Sequence, residues 1–286
     1  MARDNSEKKP MFKRMALIGI GLIGSSISHA ARRAGLVGET VCSALTPEER
    51  ERATALGLAT KAYADPADAV KGADLVILCT PVGAFKDIAE AIGPHLEKGA
   101  IVSDVGSVKG AAVRDIAPSI PEGVHFVPGH PIAGTEQSGP DAGFATLFDG
   151  RWCVLTPAPD ADPEAVAKIE EFWRKLGSNV EVMTPEHHDM VLAITSHVPH
   201  LIAYNIVNTA AHLERVTDSE VIKFSAAGFR DFTRIAASDP VMWRDVFLNN
   251  KEAVLEMLGR FSEDLIQLQR AIRFGDGETL QRLFAT

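Results

Sequence analysis

The sequence predicts an α/β chain: a doubly wound parallel sheet over residues 14–184, then an all-α domain over residues 185–286. Three observations predict it. Short apolar runs with turn signals alternate with helical periods up to about residue 184. A glycine-rich turn joins the first strand to the first helix. From Pro185 onward the alternation stops, and apolar residues recur at helical spacing. Residues 1–13 are polar and charged and lack an apolar signal core, so they read as a flexible tail.

The first strand and turn are Met15-Ala16-Leu17-Ile18-Gly19-Ile20-Gly21-Leu22-Ile23-Gly24. Gly19, Gly21 and Gly24 have the G-x-G-x-x-G spacing. The first glycine permits a tight turn, the second lets a pyrophosphate lie on bare backbone, and the third lets helix and strand approach. The N–H groups opening the helix, at Leu22 and Ile23, would hold the phosphates. This is a Rossmann-type dinucleotide site, and a glycine turn that only solves a packing problem is the plainer alternative. A second strand over residues 40–45 leads to Ser43 and Thr46, where such folds usually carry an acid for the adenosine ribose. None occurs before Glu48. The missing acid removes the repulsion against a 2′-phosphate, yet no arginine follows at once to grip one, since Arg50 and Arg52 fall in the next helix. The cofactor is NAD+ or NADP+, with NAD+ slightly favoured.

Residues 74–81 form a near-continuous apolar run with a turn signal at its end, as in a buried parallel strand. They place Thr80, Pro81 and Val82 at its carboxyl end, where ligands of open α/β sheets bind. A strand over residues 100–105 leads to Ser107, which reads equally as the N-cap of the next helix and as a substrate contact. His130 lies between Gly129 and Pro131, which suggests a loop position; an imidazole suits proton transfer near neutral pH. Two further strands, 151–156 and 179–183, flank a helix over 163–176.

In the second part, residues 186–213 form an apolar helix opened by His187, His188 and Asp189 and interrupted at Pro199. His197 and His200, three apart, share one face. No ligand spacing accompanies them, so no metal is expected. Arg230 and Arg234 lie between phenylalanines, and a partly buried arginine usually holds an anion. Asp239-Pro240 starts a long helix that the pattern carries to about Phe274, where Gly275 closes it. A short helix over 278–284 follows.

A net charge of −9, with no basic block beyond residue 14, argues against nucleic acid and anionic membranes as partners. No run of about 18 uninterrupted apolar residues predicts a membrane span. Cys42, Cys79 and Cys153 are far apart in apolar runs, as in a reducing compartment. The cytoplasm is the expected location. The helices carry more apolar surface than one small bundle covers, which suggests a homodimer.

Six motifs in order resemble the prephenate/arogenate (cyclohexadienyl) dehydrogenases of tyrosine biosynthesis. They are the glycine turn, residues 104–109, 129–136, 196–200, 228–236 and 238–243. The resemblance implies oxidative decarboxylation of a cyclohexadiene acid, with hydride transfer to NAD(P)+. It implies that His130 takes the hydroxyl proton and that Ser107 bonds the same hydroxyl. It carries Arg234, His200, His197 and Thr135 as substrate contacts, Glu136 and Asp189 as an ionic network at the pocket mouth, and Trp243 as an aromatic beside the pocket. It also implies a dimer made by the helical half. Two other readings stay open: a two-domain dehydrogenase of the β-hydroxyacid type, and a nucleotide-sensing module without turnover.

Overall fold

The computed structural model describes residues 9–214 and 226–285. The chain forms two compact units, Met1–Asp189 with Ala237–Asn249, and Met190–Ala236 with Asn250–Thr286. The segment expected as one helical domain is thus shared between them. Residues 1–8 of the expected tail lie outside the described residues. Phe12, also placed in that tail, is fully buried and opens the first strand.

The first unit is built on six parallel strands: β1 (Phe12–Ile18), β2 (Val37–Ser43), β3 (Lys61–Tyr63), β4 (Leu75–Leu78), β5 (Ile101–Asp104) and β6 (His125–Phe126). Their order is β3-β2-β1-β4-β5-β6, so the topology switches between β1 and β4. The six helices between and after these strands are α1 (Leu22–Ala34), α2 (Pro47–Ala55), α3 (Pro66–Ala69), α4 (Phe85–Ile92), α5 (Lys109–Ile116) and α6 (Pro163–Lys175). Local chemistry sets their ends. Gly35 closes α1 in the left-handed conformation, at φ 63°. Thr46 and Glu49 form a reciprocal capping box on α2. The Asp162 carboxylate caps α6. The Phe172 ring of α6 meets Phe12 edge-on at 5.8 Å, which anchors that helix to the core.

Strands β7 (Gly129–Pro131), β8 (Trp152–Leu155) and β9 (Asn179–Val182) form a second sheet, in the order β7-β8-β9. Runs 151–156 and 179–183 are therefore strands as expected, but they do not extend the doubly wound sheet. His130 is likewise not on a loop: it pairs with Val154 across an antiparallel ladder.

Helix α7 (Pro185–Leu192) leads into a π-turn (Ala193–His197) and α8 (Val198–Glu214). Pro199 has no N–H to return to the preceding turn, and the widened turn before it absorbs that loss. Next come α9 (Ala227–Thr233), α10 (Pro240–Asn249), α11 (Lys251–Phe274) and α12 (Gly277–Phe284). The long helix expected from Asp239 to Phe274 is broken at Asn250, whose backbone (φ −110°, ψ 35°) leaves the helical region. The Asn250 amide instead meets His197 Nδ1 at 3.1 Å. Gly275 ends α11 in the left-handed conformation, as expected.

Candidate active site

The glycine turn fits a dinucleotide. Gly19 adopts φ +96°, and a side chain at Gly24 would collide with the Gly19 carbonyl oxygen. A Cβ at Gly21 would meet nothing within 4 Å, so bare backbone faces open space there. Gly21 is also the N-cap of α1. No side chain caps that helix and no acid lies in its first turn, which leaves the donors of Leu22 and Ile23 for an anion. At the end of β2, Ser43 is buried and its carbonyl accepts the Gly19 N–H at 3.0 Å. The Thr46 hydroxyl is engaged by the α2 cap, and Arg50 is turned onto the Ala44 and Leu45 carbonyls at 2.8 and 2.9 Å.

A cavity of about 400 Å³ opens from this turn within the first unit. Gly21, Leu22 and Ile23 form one wall, and Thr80, Pro81 and Val82 at the end of β4 another. Ser107, His130, Thr135 and Glu136 line it as well, together with Gln137 and with Ser238, Asp239 and Met242 of the 238–243 motif, none of which the sequence had assigned to the site. Ser107 does not cap α5: Val108 occupies the cap position and supplies no side-chain bond. Instead the Asp189 carboxylate accepts the Lys109 and Gly110 N–H groups, both at 2.8 Å. Asp189, expected at the pocket mouth, is buried, caps α5 and is not among the residues that line this cavity. Trp243 is also buried, and its ring lies 5.5 Å from that of Phe247 on α10.

Beneath His130 lies a polar scaffold. His130 Nδ1 and His188 Nε2 are 2.8 Å apart, and His188 Nδ1 lies 2.8 Å from Asp189 Oδ1. Burial, reinforced by the Lys109 charge, pushes His188 below the usual histidine range, while Asp189 pulls the other way. The His188 Nδ1 to Asp189 Oδ1 contact is thus a hydrogen bond in a site where burial and Lys109 disfavour charge on the ring. Lys109 and Asp104 form a fully buried ion pair. The Lys109 ammonium also donates to the Gly129 carbonyl at 2.6 Å, and Asp104 accepts the Gly106 and Gly129 N–H groups at 2.8 and 3.2 Å. Burial pushes this ammonium below the usual lysine range, and Asp104 holds it up. Burial also raises the thiols, Cys42 to about 11, so none of the three is primed as a nucleophile. Among the described residues no group of three or more His, Cys, Asp or Glu could hold a metal ion.

In the second unit, His200 and Arg234 are neighbours. Burial lowers the His200 pKa and the Arg234 charge lowers it further. The His200 Nδ1 donates to the Ser196 carbonyl at 2.8 Å, so the ring's second nitrogen carries the lone pair. His197 is fully buried beside Asn250.

Two family models cover most of the chain. One, described as the nucleotide-binding domain of prephenate dehydrogenase, matches residues 27–182. The other, the dimerization domain of prephenate dehydrogenase, matches residues 184–286. The chain belongs to the prephenate dehydrogenase family. It is similar to the cyclohexadienyl dehydrogenase of Zymomonas mobilis, 42% identical over 96% of this chain and 93% of that one. It is also similar to the prephenate dehydrogenase of Bacillus subtilis, 33% identical over 94% of this chain and 73% of that one. A solved structure of A. aeolicus prephenate dehydrogenase, in complex with hydroxyphenyl propionate and NAD+, superposes with a TM-score of 0.88. It is 35% identical and covers 98% of this chain and 96% of its own. As a member of the prephenate dehydrogenase family, the chain is an NAD(P)-dependent oxidoreductase.

Membership in the prephenate dehydrogenase family does not by itself explain His188, Lys109 and Asp104. Asp104 ends β5, Lys109 opens α5 and His188 stands among the polar residues that open α7, but nothing local in the sequence marks the three as buried partners. Such groups are buried only where partners meet them.

Proposed function

We propose that the chain converts prephenate, arogenate or both, by oxidative decarboxylation, to 4-hydroxyphenylpyruvate or tyrosine. The observation that carries this reading is that Ser107 and His130 share the walls of one cavity with the glycine turn. The nicotinamide, when bound, accepts hydride from C4 of the substrate. His130 takes the C4 hydroxyl proton as that carbon becomes a carbonyl, and Ser107 bonds the same oxygen. The bond to the ring carboxylate then breaks, CO₂ leaves, its electron pair completes the aromatic ring, and the proton returns to the phenolic oxygen. Base assistance of this kind contributes on the order of 10²–10⁴ in rate.

Arg234 is proposed to grip a substrate carboxylate, with His200, Thr135, Glu136 and Trp243 as further substrate contacts; for His197, fully buried against Asn250, the reading shifts from substrate contact to internal support. For Asp189 the reading shifts from the pocket mouth to support of His130. NAD+ is proposed as the preferred acceptor, because α2 opens with Glu48 and Glu49, which disfavour an added phosphate at that end of β2. The experiment is a two-by-two assay: prephenate and arogenate against NAD+ and NADP+. Turnover with at least one ring substrate, faster with NAD+, is expected. Cofactor binding without turnover on either substrate would leave a sensor and overturn the reading.

Arg234→Gln is expected to raise the Michaelis constant for the ring substrate far more than it lowers turnover. The loss is roughly 2–5 kcal/mol if a desolvated carboxylate is left unpaired. An unchanged Michaelis constant would remove Arg234 from substrate binding.

A homodimer through residues 184–286 is the proposed assembly. Pro185–Leu213 is long and apolar enough by composition to cross a membrane. Yet it carries His188, Asp189, His197 and His200, which are tied into protein contacts, and the matching family model is a dimerization domain. Exposed Leu255, Ile266, Ile272 and Phe274 on α11 supply apolar surface for a second copy. No membrane or nucleic-acid partner is proposed, and the cytoplasm is the proposed location.

A further inference from the structure

We propose that His188 and Asp189 are positioning residues that set the tautomer of His130, with the proton on Nδ1 and the lone pair on Nε2. Its catalytic meaning rests on the reading of His130 as the base; the tautomer itself does not.

The assignment follows from the chain of bonds. The Asp189 carboxylate is fixed at the start of α5, where Oδ1 accepts the Lys109 N–H and Oδ2 the Gly110 N–H. An ionised carboxylate only accepts, so His188 Nδ1, 2.8 Å from Oδ1, is the donor of that pair. His188 is fully buried. The charged groups facing it are Asp189 beside it on α7, Lys109 on α5 and Asp104 at the end of β5, with His130 on β7. Lys109 and burial both oppose a second cation here, so the ring is neutral and its Nε2 holds a lone pair. That nitrogen can only accept, and His130 Nδ1, 2.8 Å away, must donate. A neutral His130 with Nδ1 protonated has its basic nitrogen at Nε2. The rings meet edge-on, at 5.1 Å between centroids and 67° between planes, which fixes the His130 ring as well as its proton.

The arrangement also prepares the charged state. Once His130 takes the hydroxyl proton, its Nδ1–H remains bonded to His188, and Asp189 stabilises the new cation through the intervening ring. The carboxylate never reaches the substrate. It is the role of the orienting acid in a catalytic triad, with one imidazole inserted.

The test has two arms. In protein with nitrogen-15 histidine, the ring resonances missing from His130→Asn identify His130, and long-range couplings then report its tautomer near neutral pH. Protonated Nδ1 is expected; protonated Nε2 overturns the proposal, whatever the activity. In the second arm, His188→Leu removes the acceptor, whereas His188→Gln offers an amide oxygen to the His130 N–H. Turnover of folded His188→Leu should fall on the order of 10²–10⁴-fold, with the Michaelis constant for NAD+ held. His188→Gln should recover at least about tenfold of that loss. Equal turnover in both folded variants, at any level, overturns the proposal. If His188→Leu does not fold, the tautomer in the wild-type protein decides. Absence of turnover in wild-type protein would sink the function but not the tautomer.

Discussion

His130→Asn is expected to lower turnover at least about 10²-fold while NAD+ binds with nearly unchanged affinity. The asparagine amide can keep a donor near the position of the ring Nδ1–H, so the bond to His188 and the β7–β8 pairing need not be lost. What cannot be replaced is the second nitrogen, a lone pair able to take a proton near neutral pH. Cofactor affinity should persist because the proposed pyrophosphate cradle is the Gly19, Gly21 and Gly24 turn before α1, not β7. Turnover followed by the absorbance of reduced nicotinamide, with a fluorescence titration of NAD+, checks both halves. Turnover within about threefold of wild type would exclude base catalysis by this residue.

Much of this site was legible before the fold was known, because its chemistry is local. A turn of three spaced glycines states its own backbone requirements, and Gly19 and Gly24 meet them for steric reasons visible in the structure. Buried parallel strands such as β4 and β5 announce themselves as apolar runs, and the residues following them line the cavity. What could not be read was pairing between distant segments. Nothing near Trp152 says that β8 abandons the main sheet for β7 and β9. Three residues of strand around His130 are too few for a period. The break at Asn250 is set by a partner 53 positions away, His197. Asp189 capping α5 is a contact over 80 positions that replaces the local cap expected of Ser107. Helix-capping rules rank the nearest serine first and cannot weigh a carboxylate delivered by another helix.

The largest stability effect is expected from Lys109→Met. In the native protein the Asp104 carboxylate is fully buried and has three donors: the Lys109 ammonium and the N–H groups of Gly106 and Gly129. Removing the ammonium leaves a buried carboxylate with dipoles but no counter-charge, which costs about 3–5 kcal/mol. It also strips the Gly129 carbonyl of a donor, directly before His130. The second consequence falls on β7, the strand that carries His130, so turnover should drop alongside stability. In a domain of this size the thermal midpoint should fall by roughly 10 °C. The double variant Asp104→Leu with Lys109→Met separates charge from scaffold. Deleting both charges lifts the unpaired-ion penalty and should restore part of the lost stability. It should not restore turnover, because the Gly129 N–H and carbonyl then lose both partners that hold β7 under the His130 ring. Urea unfolding and steady-state rates on the two variants measure these effects independently. A single variant as stable as wild type would mean that Asp104 is satisfied by backbone donors alone; a double variant with wild-type turnover would mean that the ion pair does not position His130.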